Sequence, residues 1–419
     1  FSEYISNVLP ELGEENTKET TFSDFLETYI TEYRHIETFT SFIERYYKYE
    51  EVLPDLIKFK QSDEIINVID LYIKNYTKNA KFTDDILNRD LFITKEKLNY
   101  YLNERYVSIP LFERIQEIAE KISEQNFNGN KTKTKQIQKW LKEKINISLD
   151  MKEIYKKFYT SLEFKFAYKK NIPDNYIDKL DSKTISFEDA CLFVYMKSLL
   201  MFLGNDYQIE QTIIDEAQDY NKLQYILLKK ILKKSKFTIL GDINQTINPY
   251  YQYKSLNDLS DIFDSSNYLE LNKTYRSSPE IIEHTNKILG LNLVSAIRRD
   301  TKIPVIFRNK DNIKDQMIYD IKTLQRKCKS IAIITKTDTE ANSIYKMLKS
   351  SFKDLVLISN GSNNFNRKLV VIPSYMSKGL EFDASIVYTD KNNKYTFDER
   401  YLYYVSCTRS QHYLVIYNQ

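Results

Sequence analysis

The chain has 419 residues, of which 42% are hydrophobic and 14% aromatic, and a formal net charge of +3. This length exceeds what one hydrophobic core usually supports, so we expect two or three domains. No run of 18 apolar residues occurs and no signal-peptide pattern opens the sequence, which excludes a conventional membrane-spanning helix and favours a cytoplasmic protein.

The cysteines and histidines give no sign of a disulfide framework or a zinc site. Cys191, Cys328 and Cys407 are odd in number and far apart in the sequence, which predicts reduced thiols. Only three histidines occur and no C-x-x-C, which argues against structural zinc. The small net charge favours no class of partner.

Residues from about 35 to 170 have mainly helical patterns, and a loop and helix start are predicted before them. Residues 20–25 are typical of a loop entering a helix, with Ser23 or Asp24 as the N-cap. Apolar residues then recur at helical spacing, at positions 65, 69 and 73 and again at 111, 115, 118 and 122. We interpret this region as a helical arm of about 130 residues inserted into the domain around it.

Residues 128–170 are rich in lysine, with 12 Lys against 4 acidic residues. The sequence Asn128-Gly129-Asn130 predicts a turn between two helices, and Trp140 follows it. The favoured interpretation is a solvated helix face with Trp140 in a small core. The alternative is a surface that binds nucleic acid or an acidic protein.

Strand and helix patterns alternate from residue 184 onwards. Residues 184–204 predict an amphipathic helix capped by Ser186, followed by a strand at 211–214, a helix at about 220–233 and a strand at 237–240. Further strands are predicted at 331–334, 369–372, 384–388 and 413–417, with a helix at 338–349. This order is typical of parallel sheets, in two α/β segments joined by a loop at 290–303.

An acidic pair, Asp215 and Glu216, follows the strand at 211–214. A carboxylate at the end of a strand can hold Mg²⁺, and a second one beside it can take a proton from an attacking water. Acidic pairs are common, so this one alone is weak evidence. Moreover, no G-x-x-x-x-G-K-[ST] sequence, which would cradle nucleotide phosphates, occurs in the 419 residues.

Four more polar segments follow predicted strands or precede them. Gly241 and Asp242 come after the second strand, and Gln245 at this sheet edge could contact both water and a γ-phosphate. Tyr275 offers a stacking face and Arg276 suits bidentate phosphate contact. The segments 374–383 and 403–410 lie near the C-terminus.

The segments D-E-A-Q-D, G-D-x-x-Q, x-Y-R-S, S-K-G-L-E-F-D and V-x-x-T-R-S occur here in the order of helicase motifs II to VI of superfamily 1. The wording E-A-Q-D and K-G-L-E-F-D resembles the UvrD/Rep branch. The resemblance covers about residues 185–419 and implies an α/β fold of two RecA-like parallel-sheet domains. It also implies ATP and Mg²⁺ as cofactors and DNA as a partner.

The opening of the chain resembles a narrower group, the HelD-type helicase-like proteins. Residues 1–25 and the sequence at 186–190 carry this resemblance, and residues 40–180 fit that group's helical arm. The resemblance implies that the protein binds RNA polymerase and helps to release it from nucleic acid. It divides the chain into an incomplete first RecA-like domain at 1–40, the arm at 41–180, the rest of the first domain at 181–270, and a second domain at 271–419.

The resemblance also implies a role for each matching residue. Those roles are Mg²⁺ binding by Asp215, general base for Glu216, γ-phosphate sensing by Gln245, adenine stacking by Tyr275, γ-phosphate contact by Arg276, nucleotide contact by Gly379, sugar contact by Glu381 and an arginine finger for Arg409.

The sequence departs from the UvrD pattern in two places. Tyr250 stands where those enzymes have a tryptophan that stacks on single-stranded DNA, and the W-R-G-A wording around it is absent. A tyrosine can still stack on a base, so Tyr250 is a candidate nucleic-acid contact. No large insertion occurs between 300 and 370, which favours the HelD type over a processive helicase.

Three hypotheses for function follow. The first is an RNA polymerase remodelling NTPase whose phosphate-binding loop lies just upstream of Phe1, so that this chain alone does not hydrolyse ATP. The second is a UvrD/Rep-type DNA helicase. The third is a non-catalytic interaction module built on the arm.

Overall fold

A computed structural model of the chain describes residues 17–48, 53–88, 91–204, 209–263, 265–290, 295–297, 303–308, 312–359 and 368–418. These residues form two compact units. The first unit takes its residues from 1–39, 55–210 and 222–235, and the second from 40–54, 211–221 and 236–419. Among the described residues, no helix is long and apolar enough to cross a membrane.

Helices make up most of the first unit and also occur in the second. In chain order they are α1 (Phe22–Glu27), α2 (Phe39–Tyr47), α3 (Pro54–Gln61), α4 (Glu64–Lys78), α5 (Lys95–Tyr100), α6 (Leu111–Phe127), α7 (Lys131–Lys144), α8 (Met151–Thr160), α9 (Leu162–Ala167), α10 (Asp174–Lys179), α11 (Phe187–Leu200), α12 (Lys222–Ile231), α13 (Pro279–Leu289), α14 (Ile313–Gln325), α15 (Asp338–Leu348) and α16 (Arg400–Thr408). The mainly helical character predicted for residues 35–170 is confirmed.

The strands form one large sheet and several pairs. They are β1 (His35–Ile36), β2 (Ile86–Asn88), β3 (Leu91–Ile93), β4 (Thr184–Ile185), β5 (Gln211–Ile214), β6 (Lys236–Ile239), β7 (Lys273–Thr274), β8 (Ser295–Ala296), β9 (Ile306–Arg308), β10 (Ile331–Thr335), β11 (Val356–Leu357), β12 (Leu369–Pro373), β13 (Phe382–Tyr388) and β14 (Ser410–Tyr417). The pairs β1–β4, β5–β6 and β7–β8 are parallel, and β2–β3 is antiparallel.

The large sheet belongs to the second unit and has the order β11-β12-β10-β13-β14-β9, with every neighbouring pair parallel. All five residues of β10 and of β12 are buried. Ile331 and Ile333 of β10 pack into one apolar cluster with α14 and α15, whereas Ala332 and Ile334 pack into a second cluster. The continuous apolar runs in the sequence thus reflect a sheet covered on both faces. The α/β class with parallel sheets is confirmed.

The loop predicted at 290–303 is partly wrong. Residues 291–294 and 298–302 lie outside the described residues, but Ser295 and Ala296 form β8, which pairs in parallel with β7. The strands β5, β6 and β10 all belong to the second unit. The RecA-like domain boundaries at 40, 180 and 270 stay a prediction, as does the resemblance carried by residues 1–16, which lie outside the described residues.

The cap predicted for the first helix is also wrong. Thr21 is the N-cap of α1, and its hydroxyl accepts a hydrogen bond from the Asp24 amide at 3.1 Å. Ser23 and Asp24 therefore lie in the first turn, where the Asp24 carboxylate interacts favourably with the helix dipole. The sequence has four capping residues close together, Thr20, Thr21, Ser23 and Asp24, so residue type alone does not fix the first residue of the helix.

Helix α11 differs from its predicted amphipathic character. Ser186 is the N-cap, as predicted, and accepts from the Asp189 amide at 3.4 Å. However, every residue of α11 except Leu199 is buried, including Glu188 and Asp189. A helix buried on all sides is the core of its unit rather than a surface element.

A buried ion pair connects α3 to α11 in the first unit. Lys60 Nζ lies 2.5 Å from Asp189 Oδ1, and both side chains are almost fully buried. The hydroxyls of Tyr155 and Tyr159 each donate to Asp189 Oδ1 at 2.6 Å, and Tyr176 donates to Oδ2 at 2.9 Å. Burial by itself would raise the pKa of Asp189, but Lys60 and the hydroxyls of Tyr155 and Tyr159 outweigh it and hold the pKa at about 2.

We expect Lys60→Met to destabilise the first unit by about 3–5 kcal/mol, because it leaves a buried carboxylate without its cation. Urea unfolding followed by circular dichroism measures the change. Since the folded-state pKa of Asp189 lies below an unfolded value of about 3.9, the carboxylate's contribution is complete above that pH and is lost as the pH falls toward 2. The control is Lys170→Met, which removes an exposed ion pair with Asp55. Equal destabilisation by both changes would contradict the prediction.

Candidate active site

The acidic pair lies at the carboxyl end of a two-stranded parallel sheet in the second unit. Strands β5 and β6 pair so that Ile214 lies beside Ile239, which brings residue 215 next to the Leu240-Gly241 exit of β6. The Asp215 side chain is exposed, and its Oδ1 accepts a hydrogen bond from the Glu216 amide at 2.8 Å. The two predicted carboxylates therefore project from consecutive residues at the predicted sheet edge.

Glu216 has an uncommon backbone conformation. Its φ of 52° and ψ of 39° are left-handed, which costs a non-glycine residue about 1 kcal/mol or more. Two contacts stabilise it: the Ala217 amide donates to the Leu240 carbonyl at 2.9 Å, and Gln218 Nε2 donates to Glu216 Oε2 at 2.8 Å. The second of these contacts holds the carboxylate of the predicted general base in one orientation.

Gln218 connects the two strand ends. Besides Glu216, its Nε2 donates to the Gln245 carbonyl at 3.3 Å, and its Oε1 accepts from the Asp242 amide at 3.0 Å. Gln245 Nε2 in turn donates to Asp242 Oδ2 at 2.7 Å. Gln218 belongs to the D-E-A-Q-D motif, but the resemblance gave it no role. A buried glutamine has both donors and an acceptor, so it can bridge two backbone segments.

Position 241 requires glycine because neighbouring atoms leave no room for a side chain, and not because of its backbone angles. A Cβ atom added there would lie 2.6 Å from Gln218 Oε1, 3.0 Å from Ala217 Cβ and 3.1 Å from the Ala217 amide nitrogen. The predicted role, a sharp exit from the strand, is therefore better described as close approach of two backbone segments.

We expect Gly241→Ala to lower the free energy of unfolding of the second unit by about 1–3 kcal/mol, because Gln218 must give up its hydrogen bond to the Asp242 amide to make room. Thermal unfolding measures the loss. Gly204→Ala is the matched control, since nothing lies within 4 Å of a Cβ added there. A melting temperature unchanged by Gly241→Ala would contradict this interpretation.

A buried lysine links the acidic motif to the segment after β12. Lys378 Nζ lies 2.5 Å from Asp219 Oδ2 and 3.3 Å from Glu216 Oε2. Asp219 Oδ1 also accepts from the Ile247 amide at 3.0 Å. Burial raises the pKa of Asp219, and the Lys378 ammonium opposes that shift. The resemblance assigned no role to Lys378 or Asp219, and the residues next to Lys378, Ser377 and Gly379, give no sign that it is buried.

Arg409 contacts Gln245, another of the predicted site residues. Arg409 Nη2 donates to Gln245 Oε1, and Nη1 donates to the Leu380 carbonyl at 3.4 Å. On its own helix end, Nε donates to the Val405 carbonyl at 3.1 Å and Nη2 to Thr408 Oγ1 at 3.1 Å. The guanidinium is thereby held in one position by four acceptors.

Arg409 is only 1% exposed. Burial, together with the nearby Arg276 cation, lowers the pKa of Arg409 to about 10, while Glu216 and Glu381 oppose the shift. The guanidinium therefore still carries its charge at neutral pH. These electrostatic neighbours also show that residues from four separate motifs lie close together.

Arg276 pairs with Glu381. Its Nη2 lies 2.5 Å from Glu381 Oε1, and Gln411 Nε2 donates to Glu381 Oε2 at 2.7 Å. Tyr275 is 71% exposed, which leaves most of its surface open to a stacking partner. Gly379 has a φ of 74°, a left-handed conformation that favours glycine.

Tyr250 packs against two aromatic rings of helix α2. Its ring is 5.7 Å from that of Phe42 and 5.3 Å from that of Tyr46, centroid to centroid, and its amide donates to Asn248 Oδ1 at 3.0 Å. The structure thus brings together the predicted Glu216, Gln245, Arg276, Glu381 and Arg409. It places Asp215, Tyr275 and Gly379 on the flanking segments and Tyr250 among aromatic rings.

The model of the UvrD/REP helicase N-terminal domain matches residues 8–256, more than half of the chain. The chain belongs to the UvrD/REP helicase family. The predicted family is therefore confirmed, whereas the resemblance to the HelD type stays a prediction.

Several curated proteins of this family are similar to the chain. ATP-dependent DNA helicase srs2 of Schizosaccharomyces pombe is 37% identical over 90 residues, which cover 21% of this chain and 10% of that protein. ATP-dependent DNA helicase Rep of Buchnera aphidicola subsp. Baizongia pistaciae is 24% identical over 250 residues, 56% of this chain and 34% of that protein. The chain thus spans about a third or less of the length of these UvrD/REP relatives.

Among solved structures, the C-terminal domain of a possible DNA helicase from Lactobacillus plantarum WCFS1 is 29% identical. The match covers 34% of this chain and 86% of that chain, with a TM-score of 0.29.

Proposed function

We propose that the protein containing this chain is an ATP-dependent, superfamily 1 helicase-like motor, with hydrolysis at the site where Glu216, Gln245 and Arg409 meet. The observation that carries the proposal is the continuous set of contacts from Glu216 through Gln218 and Gln245 to Arg409. It joins a carboxylate, an amide and a cation, which are the groups needed to take a proton from water, orient that water and stabilise phosphoryl charge.

Magnesium fits this arrangement. Asp215 supplies an exposed carboxylate beside the predicted base, and hard oxygen ligands suit Mg²⁺. Among the described residues, no group of three or more carboxylate, histidine or cysteine ligands could hold a metal ion alone. Asp215 would therefore hold Mg²⁺ together with phosphate oxygens and water, as is usual for a nucleotide-bound ion.

Each predicted residue then has a role in hydrolysis. Glu216 accepts the proton of the attacking water, with its carboxylate oriented by Gln218. Gln245 contacts the γ-phosphate and Arg409 stabilises its developing charge. Arg276 leaves its ion pair with Glu381 and binds the same phosphate, and Glu381 then contacts the nucleotide sugar. Tyr275 stacks on the adenine. Gly379 lets the backbone come close to the nucleotide.

ATP turnover of the chain alone tests the first part of the proposal. Because the 419 residues contain no G-x-x-x-x-G-K-[ST] sequence, we expect negligible hydrolysis by this chain and hydrolysis by a protein that carries both this chain and such a loop. A longer protein that carries such a loop and still fails to hydrolyse ATP would contradict the proposal.

For the work that hydrolysis drives, we propose the remodelling or release of RNA polymerase from nucleic acid. The resemblance of residues 186–190 and of the helical region 41–180 to the HelD type supports it. A pull-down of RNA polymerase with the complete protein, with and without residues 41–180, tests it. Binding that is unchanged by the deletion would assign the arm a purely structural role.

Duplex unwinding is the second candidate, and the similarity to proteins named ATP-dependent DNA helicase favours it equally. Strand displacement on forked DNA by the complete protein distinguishes the two. Unwinding with steady ATP turnover would establish the DNA helicase.

A further inference from the structure

One face of helix α7 carries a row of lysines. Lys131, Lys135, Lys139 and Lys142 are all exposed, and their spacing of three to four residues places them on one side of the helix. The opposite side carries Ile137 and Leu141, which are fully buried against the first unit. The core thus fixes which way the lysine row points.

The positive charge of this row is almost uncompensated. Helix α7 contains six lysines and a single acidic residue, Glu143. Glu143 lies 3.9 Å from Lys139, at the limit of an ion pair. Within the described parts of the chain, Lys131, Lys135 and Lys142 have no ion pair, whereas Lys144, outside the row, lies 3.5 Å from Asp84.

The face favours a polyanion over a protein surface. Protein interfaces have aromatic and other large apolar side chains at their centre and are poor in lysine. No large hydrophobic side chain is among the exposed ones of α7. The row therefore offers charge without an apolar anchor, which is the pattern of binding to a phosphate backbone.

The dimensions also fit nucleic acid. Lysines four residues apart are about 6 Å apart along the helix, and the row from Lys131 to Lys142 is about 16 Å long. A duplex carries one phosphate charge per about 1.7 Å of its axis, so several phosphates lie within that length. Two amides at the start of α7, those of Thr132 and Lys133, already donate to Asn130 Oδ1. Contact must therefore come from the lysine side chains.

We propose that this lysine row binds the phosphate backbone of nucleic acid without regard to sequence. The surface lies on the helical arm and in the first unit, whereas the ATP site belongs to the second. The inference thus adds a nucleic-acid contact that does not depend on ATP hydrolysis. Within the lysine-rich segment 128–170, the proposal assigns binding to the row on α7 and not to the positive charge of the whole segment.

The test is the quadruple variant K131Q/K135Q/K139Q/K142Q in the full 419-residue chain, without nucleotide. Glutamine keeps helix propensity and removes charge. We expect its Kd for fluorescein-labelled DNA, single-stranded and duplex, to rise at least 10-fold in 50 mM salt, measured by fluorescence anisotropy. The slope of log Kd against log salt should fall by about two to four for the duplex, since each phosphate contact contributes about 0.9.

The charge-matched control is K58Q/K74Q/K78Q/K183Q, which changes four exposed lysines elsewhere in the first unit. We expect less than a threefold change in Kd for this control. Circular dichroism establishes that both variants keep their helix content. Equal weakening by the two variants would overturn the proposal, because it would show a general charge effect.

Binding of labelled poly-glutamate tests the alternative that the lysine row binds an acidic protein and not nucleic acid. If the quadruple variant loses affinity for labelled poly-glutamate but not for DNA, the row is a surface for acidic protein and the proposal is wrong. No measurable DNA binding by the unaltered chain would also overturn it. None of these outcomes depends on ATP turnover, so failure here is distinct from failure of the proposed hydrolysis.

Discussion

Glu216→Gln is expected to lower ATP turnover by at least about 10²–10⁴-fold, because the amide cannot accept a proton from the attacking water. The variant is made in the protein that carries both this chain and a phosphate-binding loop, and phosphate release is measured with DNA present. Gln218 Nε2 can still donate to the remaining side-chain oxygen, so the local structure should persist. Nucleotide affinity should then change much less than turnover.

The control for this variant is Glu283→Gln, which removes an exposed carboxylate on α13 that pairs with Lys287. Its ATP turnover should match that of the unaltered protein. A Glu216→Gln protein that remains active would exclude Glu216 as the general base.

Arg409→Lys is expected to lower turnover by about 10³–10⁵-fold, the range for loss of an arginine finger. The ammonium keeps the charge but cannot reproduce the fork with which Arg409 reaches Gln245, Leu380 and Val405 together. Because the side chain is buried, the change also affects stability. Turnover is therefore measured at a temperature where thermal unfolding shows the variant to be folded.

Arg400→Lys is the matched control, since Arg400 lies at the start of the same helix, α16, and bonds the Phe397 carbonyl. It should leave turnover within about twofold. If Arg409→Lys lowers the melting temperature but not the turnover of the folded fraction, Arg409 has a structural role only. If Arg409→Lys weakens nucleotide binding but leaves the turnover of bound nucleotide unchanged, Arg409 binds the nucleotide before the reaction and does not stabilise the transition state.

The motif residues were predictable because their chemistry is local. A β-branched strand followed by Asp215 and Glu216, and another followed by Gly241, predicts carboxylates at the edge of a parallel sheet, and the structure places them there. The buried strands at 331–335 and 369–373 were equally clear, because a sheet covered on both faces requires uninterrupted apolar runs.

Burial could not be predicted for the connecting polar residues. Gln218, Lys378 and Lys60 look like surface residues in the sequence, since glutamine and lysine are usually exposed. Each is buried because a partner distant in the chain satisfies it, as Asp219 satisfies Lys378 across 159 residues. Such pairings depend on the complete fold and leave no local pattern. Helix α11 was misjudged for the same reason, because its sequence does not show that the fold buries all but one of its residues.

The sequence by itself determined the family, the order of the motifs and the identity of the groups that would act on ATP, because these depend on residue type and spacing along the chain. Only the tertiary structure decided that Gln218 and Lys378 hold Glu216, that Arg409 reaches Gln245, and that three of the four lysines in the row on α7 have no ion pair among the described residues. The physical reason is that these properties come from burial and from partners far apart in the chain. Periodicity reports neither.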